Sequence, residues 1–224
     1  IDGVKTARIL YLYPSTTTHN LIDKIADSKV FVNYFDMPLQ HISQNMLKIM
    51  KRGKGAEKLI ELMNYMKSKP NSFVRTTFIA GHPGESEDDF EELCSFVEDF
   101  GFDRGNVFSY SDEEGTSAET RDDKIEQELI DERAEILGDI ISQTTIKSLE
   151  NDIGKSFEVY IDGESEEHEY LLSARKTIWA PQIDGEIYIN DNEDNIPIVF
   201  GEIYEVEATQ LAGDKLLAKI IRKV

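Results

Sequence analysis

The stretch Val74-Arg75-Thr76-Thr77-Phe78-Ile79-Ala80-Gly81-His82-Pro83-Gly84-Glu85-Ser86-Glu87-Asp88-Asp89 decides how the rest of the 224-residue chain is read. Val74 to Ala80 has the apolar and β-branched content of a buried strand, and Gly81-His82-Pro83-Gly84 is a turn. Ser86 fits a helix N-cap. Its hydroxyl can accept from the backbone N–H of Asp89 while that carboxylate reaches back, and Phe90 opens an apolar stripe. A strand running through a glycine turn into a helix is the step at which α/β folds place their ligands.

On the N-terminal side, Arg8 to Pro14 is aromatic and aliphatic throughout, as expected of a strand covered on both faces and ended by Pro14. Asn20 to Asp27 is a short helix and Val30 to Asp36 a second strand, whose end carries Met37-Pro38-Leu39-Gln40-His41. Ser43 caps a helix through Met50, residues 51–55 break it, and Ala56 to Lys69 is a further helix closing before Pro70. On the C-terminal side, Phe90, Leu93, Cys94 and Val97 share one helix face up to Gly101. A fourth strand, Asn106 to Tyr110, then enters a polar loop through Thr116. Regular alternation of strand and helix implies right-handed crossovers and a parallel sheet, open or part of a barrel, and four strands are too few for a complete eight-stranded one.

From Asp123 to about Asn151 the spacing of Ile125, Leu129, Arg133, Ile136, Leu137, Ile140 and Thr144 predicts one long helix, read as a connector. Beyond Gly154 come five short strands, 156–162, 169–175, 185–190, 202–210 and 215–222, which suggest a small closed barrel of the OB type. The expected domains are therefore 1–122, 123–151 and 152–224.

Acidic residues outnumber basic ones by 44 to 24, a formal charge of -20 that opposes binding to a phosphate backbone and favours a basic partner. Residues 152–224 alone hold 16 acidic and 7 basic side chains. No window is long and apolar enough for a membrane span and the start lacks a signal-peptide core, so a cytoplasmic, membrane-free monomer is expected. One cysteine, Cys94, excludes an internal disulfide and any cysteine-ligated cluster held by this chain alone. The opening Ile1, at the lead-in to a strand, reads as an interior start within a longer protein.

Four segments, Tyr34 to His41, Met50 to Arg52, Arg75 to Phe90 and Phe108 to Thr116, resemble in order the signature segments of the radical S-adenosylmethionine methylthiotransferases. Ala180 to Gly185 resembles the middle of that family's C-terminal TRAM domain. Within the family the likeness is to the branch acting on an aspartate β-carbon of small-subunit ribosomal protein twelve. The resemblance implies the second half of a partial (β/α) barrel, a linker helix and a TRAM barrel. It also implies S-adenosylmethionine and [4Fe-4S] clusters, one held by a CxxxCxxC motif that this sequence lacks. The chain by itself is then expected to be inactive, with no catalytic or metal-ligating residue of its own and with its acidic TRAM domain meeting the basic ribosomal protein. The alternatives are a tRNA methylthiotransferase, which the charge of residues 152–224 disfavours, and a non-enzymatic binding module.

The residues expected to hold S-adenosylmethionine are Gln40, Arg75, Thr77, Ile79, Gly81, Glu85 and Tyr110. Strand alternation puts Arg75, Thr77, Ile79 and Gly81 on one face and Val74, Thr76, Phe78 and Ala80 on the other. Arg75 could pair with the ligand carboxylate or serve as a structural arginine, and Ile79 with Gly81 could seat adenine against the backbone. Glu85 has a second reading as a helix N-terminal anion, Tyr110 as packing and His41 as a solvated loop residue. His82 stands where the family more often has an aromatic residue and is assigned no catalysis. Cys94 reads as core, and Lys51, Arg52 and Lys54 as a solvated basic loop or an acidic-partner contact.

Overall fold

The computed structural model describes residues 3–53, 55–192 and 194–224 and divides into two compact units, Ile1–Thr145 and Ile146–Val224. The lead-in at Ile1 and the basic Lys54 lie outside the described residues.

The first unit is a four-stranded parallel sheet in the order β1-β2-β3-β4, formed by Ala7–Ile9, Phe31–Asp36, Phe73–Ala80 and Arg104–Ser109. Helices α1 (His19–Ala26), α2 (Gln44–Ile49), α3 (Ala56–Lys67) and α4 (Glu87–Phe100) make the crossovers. The β3–β4 register runs unbroken from Arg75 opposite Arg104 to Ala80 opposite Ser109. Phe35, Val74 and Phe78 face a core completed by Leu59, Met63, Leu93, Val97 and Phe102. Ser86 caps α4 with the full reciprocal box to Asp89, and Gly101 ends it at φ 64° in the left-handed region. Thr18 and Ser43 cap α1 and α2 in the same side-chain-to-backbone manner.

The aromatic run at 8–14 differs from expectation. β1 stops at Ile9 because Tyr11 turns to φ 60°, and the Leu12 N–H then bonds the Asp36 carbonyl at 2.7 Å. As a sheet edge the run is not covered on both faces: Tyr11 is 73% and Tyr13 43% exposed.

Helix α5 spans Gln127–Glu150. It begins later than Asp123 because residues 121–123 fold back: Arg121 pairs with Asp123, whose carbonyl accepts from the Gly84 N–H at 3.1 Å. Leu137 and Ile141 of α5 lie in the core of the first unit.

The second unit is a closed barrel in the order β5-β6-β7-β9-β8, from Ser156–Glu164, Leu172–Lys176, Ile187–Asp191, Ile203–Ala212 and Lys215–Lys223. Its pairings are antiparallel except β7 with β9, the parallel contact that closes the cylinder. Alternate residues point inward: Val159 and Ile161, Ile187 and Ile189, Tyr204, Val206 and Ala208, Leu216, Ala218 and Ile220 are all buried, with Trp179 beside them. No helix among the described residues is long and apolar enough to cross a membrane.

Candidate functional site

Past Asp36, the chain leaves β2 without leaving β3. The Met37 N–H bonds the Arg75 carbonyl at 2.9 Å, and Pro38, which has no N–H to offer, makes a short detour. The Thr76 hydroxyl covers the gap, donating to the Met37 carbonyl at 3.0 Å and accepting from the Leu39 N–H at 3.4 Å. Gln40 then rejoins the sheet: its N–H bonds the Thr77 carbonyl and its carbonyl accepts from the Ile79 N–H, both at 2.9 Å. This backbone pins Gln40 at φ 70°, uncommon for a residue with a side chain and held here by two ladder bonds. Its side-chain Oε1 is buried with no hydrogen-bond partner.

Gln40 lines a cavity of about 710 Å³ at the carboxyl ends of β2, β3 and β4, together with Thr77, Ile79, His82, Phe108 and Tyr110, residues 49–52 and the 111–118 loop. A second cavity of about 330 Å³, reaching to Tyr11 and Tyr13 at the end of β1, shares Gln40, Arg52, Thr77 and Phe108 with the first. The size suits a nucleoside-containing ligand, and the position is where open parallel sheets bind ligands. Arg52 lies over the Tyr13 ring, 5.4 Å from its centre.

Four of the seven residues expected to bind a ligand line this cavity: Gln40, Thr77, Ile79 and Tyr110. The structure engages the other three elsewhere. Arg75 is buried against Asp36, 3.3 Å from its Oδ2, and with the Asn106 amide turned so that its oxygen faces the guanidinium, Nη2 gains an acceptor at 2.8 Å. Burial raises the Asp36 carboxyl above its ordinary value, outweighing the opposing pull of Arg75 and the Tyr11 N–H. Gly81, at φ 79°, lies directly against α5: a Cβ there would sit 2.6 Å from Ile130.

Glu85 is fully enclosed and is the hub under the turn. Its Oε2 accepts from the Gly81 N–H at 2.9 Å and from Arg133 Nη1 at 2.8 Å, and its Oε1 lies 3.2 Å from His41 Nε2. His41 is therefore not a loop residue in solvent. Its Nδ1 accepts from the Ser43 N–H at 3.0 Å, which leaves Nε2 as the donor to Glu85. Arg133 also reaches Glu87 at 2.7 Å, tying α5 to the start of α4. Its role was missed in the sequence, although an arginine placed on an apolar helix stripe was the available signal.

Tyr110 donates to Asp112 at 2.7 Å, and burial with that neighbouring carboxylate pushes its hydroxyl up to about 12. The His82 ring packs edge-on against Tyr110 at 5.0 Å, with its Nδ1 2.9 Å from the Pro83 carbonyl. Cys94 packs against the core of α4, and burial together with Glu85 pushes its thiol up to about 11.

Residues 4–97 match the radical SAM superfamily and residues 153–221 match the TRAM domain. Over 224 residues the chain is 80% identical to the ribosomal protein uS12 methylthiotransferase RimO of Aliarcobacter butzleri, covering 99% of this chain and 50% of that protein. The proteins of the same name from Sulfurovum sp. and Campylobacter jejuni are 60% and 52% identical, across 100% of this chain and 50% and 51% of their own lengths. The chain belongs to the RimO family. This RimO-family chain spans about half the length of the curated relatives it matches. Among solved structures, coproporphyrinogen III oxidase (HemN) from Escherichia coli, a radical SAM enzyme, aligns with a TM-score of 0.47 at 15% identity, over 94% of this chain and 50% of that one.

The residues present test what the family implies. The cavity fits S-adenosylmethionine, because Gln40 presents a buried oxygen that lacks a donor, beside the apolar walls of Ile49, Ile79 and Phe108. An iron–sulfur cluster has no ligand set here: no group of three or more His, Cys, Asp or Glu residues among those described is placed to hold a metal.

Proposed function

We propose that this chain is the part of a radical S-adenosylmethionine enzyme that seats the adenosyl end of the cosubstrate, and that the whole protein methylthiolates the β-carbon of an aspartate in ribosomal protein uS12. The observation that carries this reading is 80% identity to a relative of that name along the full length of the chain. S-adenosylmethionine, cleaved at a [4Fe-4S] cluster that other parts of the protein hold, supplies the radical that takes the hydrogen.

This chain's own contribution is to bind and orient. Gln40 Oε1 accepts a donor of the ligand, Thr77 and Ile79 form the sheet floor, and Tyr110 closes one side. Arg75, Gly81 and Glu85 act one layer below: Arg75 with Asp36 stiffens the sheet, while Gly81 and Glu85 set the turn that carries His82.

The barrel supplies docking for the basic substrate protein. Its 16 acidic against 7 basic residues support this, as does a cleft of about 590 Å³ where Glu164 and Glu166 stand beside Asp162, Glu167 and Glu186, the last three ion-paired with Arg175 and Lys215 of the same cleft. In the test, the full-length protein with reconstituted clusters is incubated with S-adenosylmethionine and either uS12 or tRNA, followed by mass spectrometry of both. A methylthio group on an aspartate of uS12 supports the proposal; modification of tRNA alone replaces it with the sibling activity. The 224-residue chain alone is expected to modify neither.

A further inference from the structure

β4 is an outer strand of the sheet and runs straight into the larger cavity, which Phe108, Ser109 and Tyr110 line. Its pairing with β3 uses half of its backbone. The Tyr110 N–H bonds the Ala80 carbonyl at 2.9 Å, and in a parallel ladder every second residue turns both backbone groups to the same neighbour. Phe108 and Tyr110 therefore face β3, while Val107 and Ser109 point N–H and carbonyl away from it. Those outward groups have no hydrogen-bond partner among the described residues. Edge strands are ordinarily blunted by brevity, a bulge, a charge or a proline. The other edge follows that rule: β1 has 3 residues, its register slips between Ala7 and Ile9, and Tyr11 turns the chain away. Residues 105–109, Gly-Asn-Val-Phe-Ser, carry no charge, no proline and no slip in register.

From this contrast we propose that the open edge of β4 is the docking strand for the substrate protein: an extended segment of that protein adds alongside residues 105–109 and carries its target aspartate to the mouth of the cavity. The inference rests on the reading of the whole protein as one that modifies an aspartate of a basic ribosomal protein. The border of the strand has the charge such a partner needs. β4 leads into Asp112, Glu113 and Glu114, all exposed, of which Asp112 alone is ion-paired among the described residues, to Lys124, and the Ser109 hydroxyl lies 3.3 Å from Asp131 of α5. Backbone pairing supplies affinity, and the alternation of side chains decides what reaches the site. Val107 packs toward the helix-covered core, whereas Phe108, 59% exposed, stands on the cavity side. A residue laid beside Phe108 turns its side chain to that same face, over the cavity, and its two neighbours turn theirs away. An aspartate β-carbon is thereby presented in one orientation by a segment that needs no fixed structure of its own.

The test is amide hydrogen exchange, resolved to single residues, on the full-length protein with clusters in place, free and bound to uS12. The Val107 and Ser109 amides should exchange readily in the free protein and slow in the complex, while the Phe108 amide, paired to β3, is slow in both. Ser109→Pro removes an outward donor that the ladder with β3 does not use, a substitution edge strands accept. It should weaken uS12 binding about fivefold, the effect of one neutral hydrogen bond, whereas Ser109→Ala, which keeps the N–H, should bind as the wild type does. Should Ser109→Pro fail to fold, exchange in the wild type decides alone. Slow exchange at Val107 and Ser109 already in the free protein would show the edge closed by another part of the chain, and unchanged exchange on binding uS12 would show it unused. Either result overturns the docking strand and leaves the proposed activity standing. Failure of the wild type to bind uS12 at all would remove both.

Discussion

Glu85→Gln should be among the more damaging single substitutions in the first unit, although it changes one atom. In the native chain all three neighbours of the carboxylate are donors: the Gly81 N–H, Arg133 Nη1 and His41 Nε2. Its side chain is fully enclosed and that of Arg133 is 5% exposed, so water cannot compensate either partner. A glutamine offers one accepting oxygen and turns an NH₂ toward donors, leaving the Arg133 charge buried with only the exposed Glu87 still paired to it. Breaking a buried, hydrogen-bonded ion pair from one side costs about 3 kcal/mol, about 10 °C in melting temperature for a unit of this size. The assay has an internal control. The described helices all lie between His19 and Glu150, so far-UV circular dichroism follows the first unit, while Trp179 is the single tryptophan and sits buried in the barrel unit. The helical transition should fall and the Trp179 fluorescence transition should stay. Adding Arg133→Met should recover part of the loss, because a neutral pair removes the stranded charge. A helical shift under about 2 °C, or a double variant no better than the sum of its parts, would refute the hub.

The other predictions concern separate features. Gly81→Ala combines a φ of 79° with a 2.6 Å approach to Ile130, and should cost about 2–4 kcal/mol in a urea titration. Gly138→Ala, inside α5 with nothing within 4 Å, should instead stabilise by about 0.5–1 kcal/mol. For Asp89, burial pushes the carboxyl up, but hydrogen bonds from Ser43, Ser86 and Asn45 hold it down to about 2, against an ordinary 3.8. Its folded value lies below its unfolded one, so its stabilisation is complete above pH 3.8 and is lost as pH falls to about 2. Asp89→Asn should flatten the urea midpoint across that window, and an unchanged profile would count against the assignment. Cys94, with its thiol pushed up to about 11, should resist alkylation at pH 8 until urea unfolds the first unit, and rapid labelling of the native protein would show the burial to be overstated.

Much of the fold was legible because its cues are local. Ser86 with Asp89, Gly101, and the Ser43 cap mark helix ends by hydrogen bonds reaching three or four residues, which a linear reading can see. The alternation in β3 likewise placed Thr77 and Ile79 on the cavity side and Phe78 in the core. The run at 8–14 differed because Tyr11 turns to φ 60° and ends β1 at Ile9, a backbone turn that the hydrophobicity of Leu10, Tyr11 and Tyr13 does not announce. Arg75 and Glu85 were placed near a ligand by their position in the chain, yet what occupies them comes from elsewhere in it: Asp36 lies 39 residues from Arg75, and Arg133 lies 48 from Glu85.

By itself the sequence determined the alternation of strand and helix, the five-stranded β unit, the charge of each half and the kinship with a family, since these depend on neighbours within a turn or on the order of motifs. Only the tertiary structure decided which polar groups are already satisfied and which are left over. Glu85 and His41 complete each other and Arg75 pairs with Asp36 Oδ2, whereas Asp36 Oδ1 and Gln40 Oε1 are left without a donor. Whether a buried polar group has a partner is a property of the packed chain, because the desolvation that makes it matter arises only when distant segments close over it.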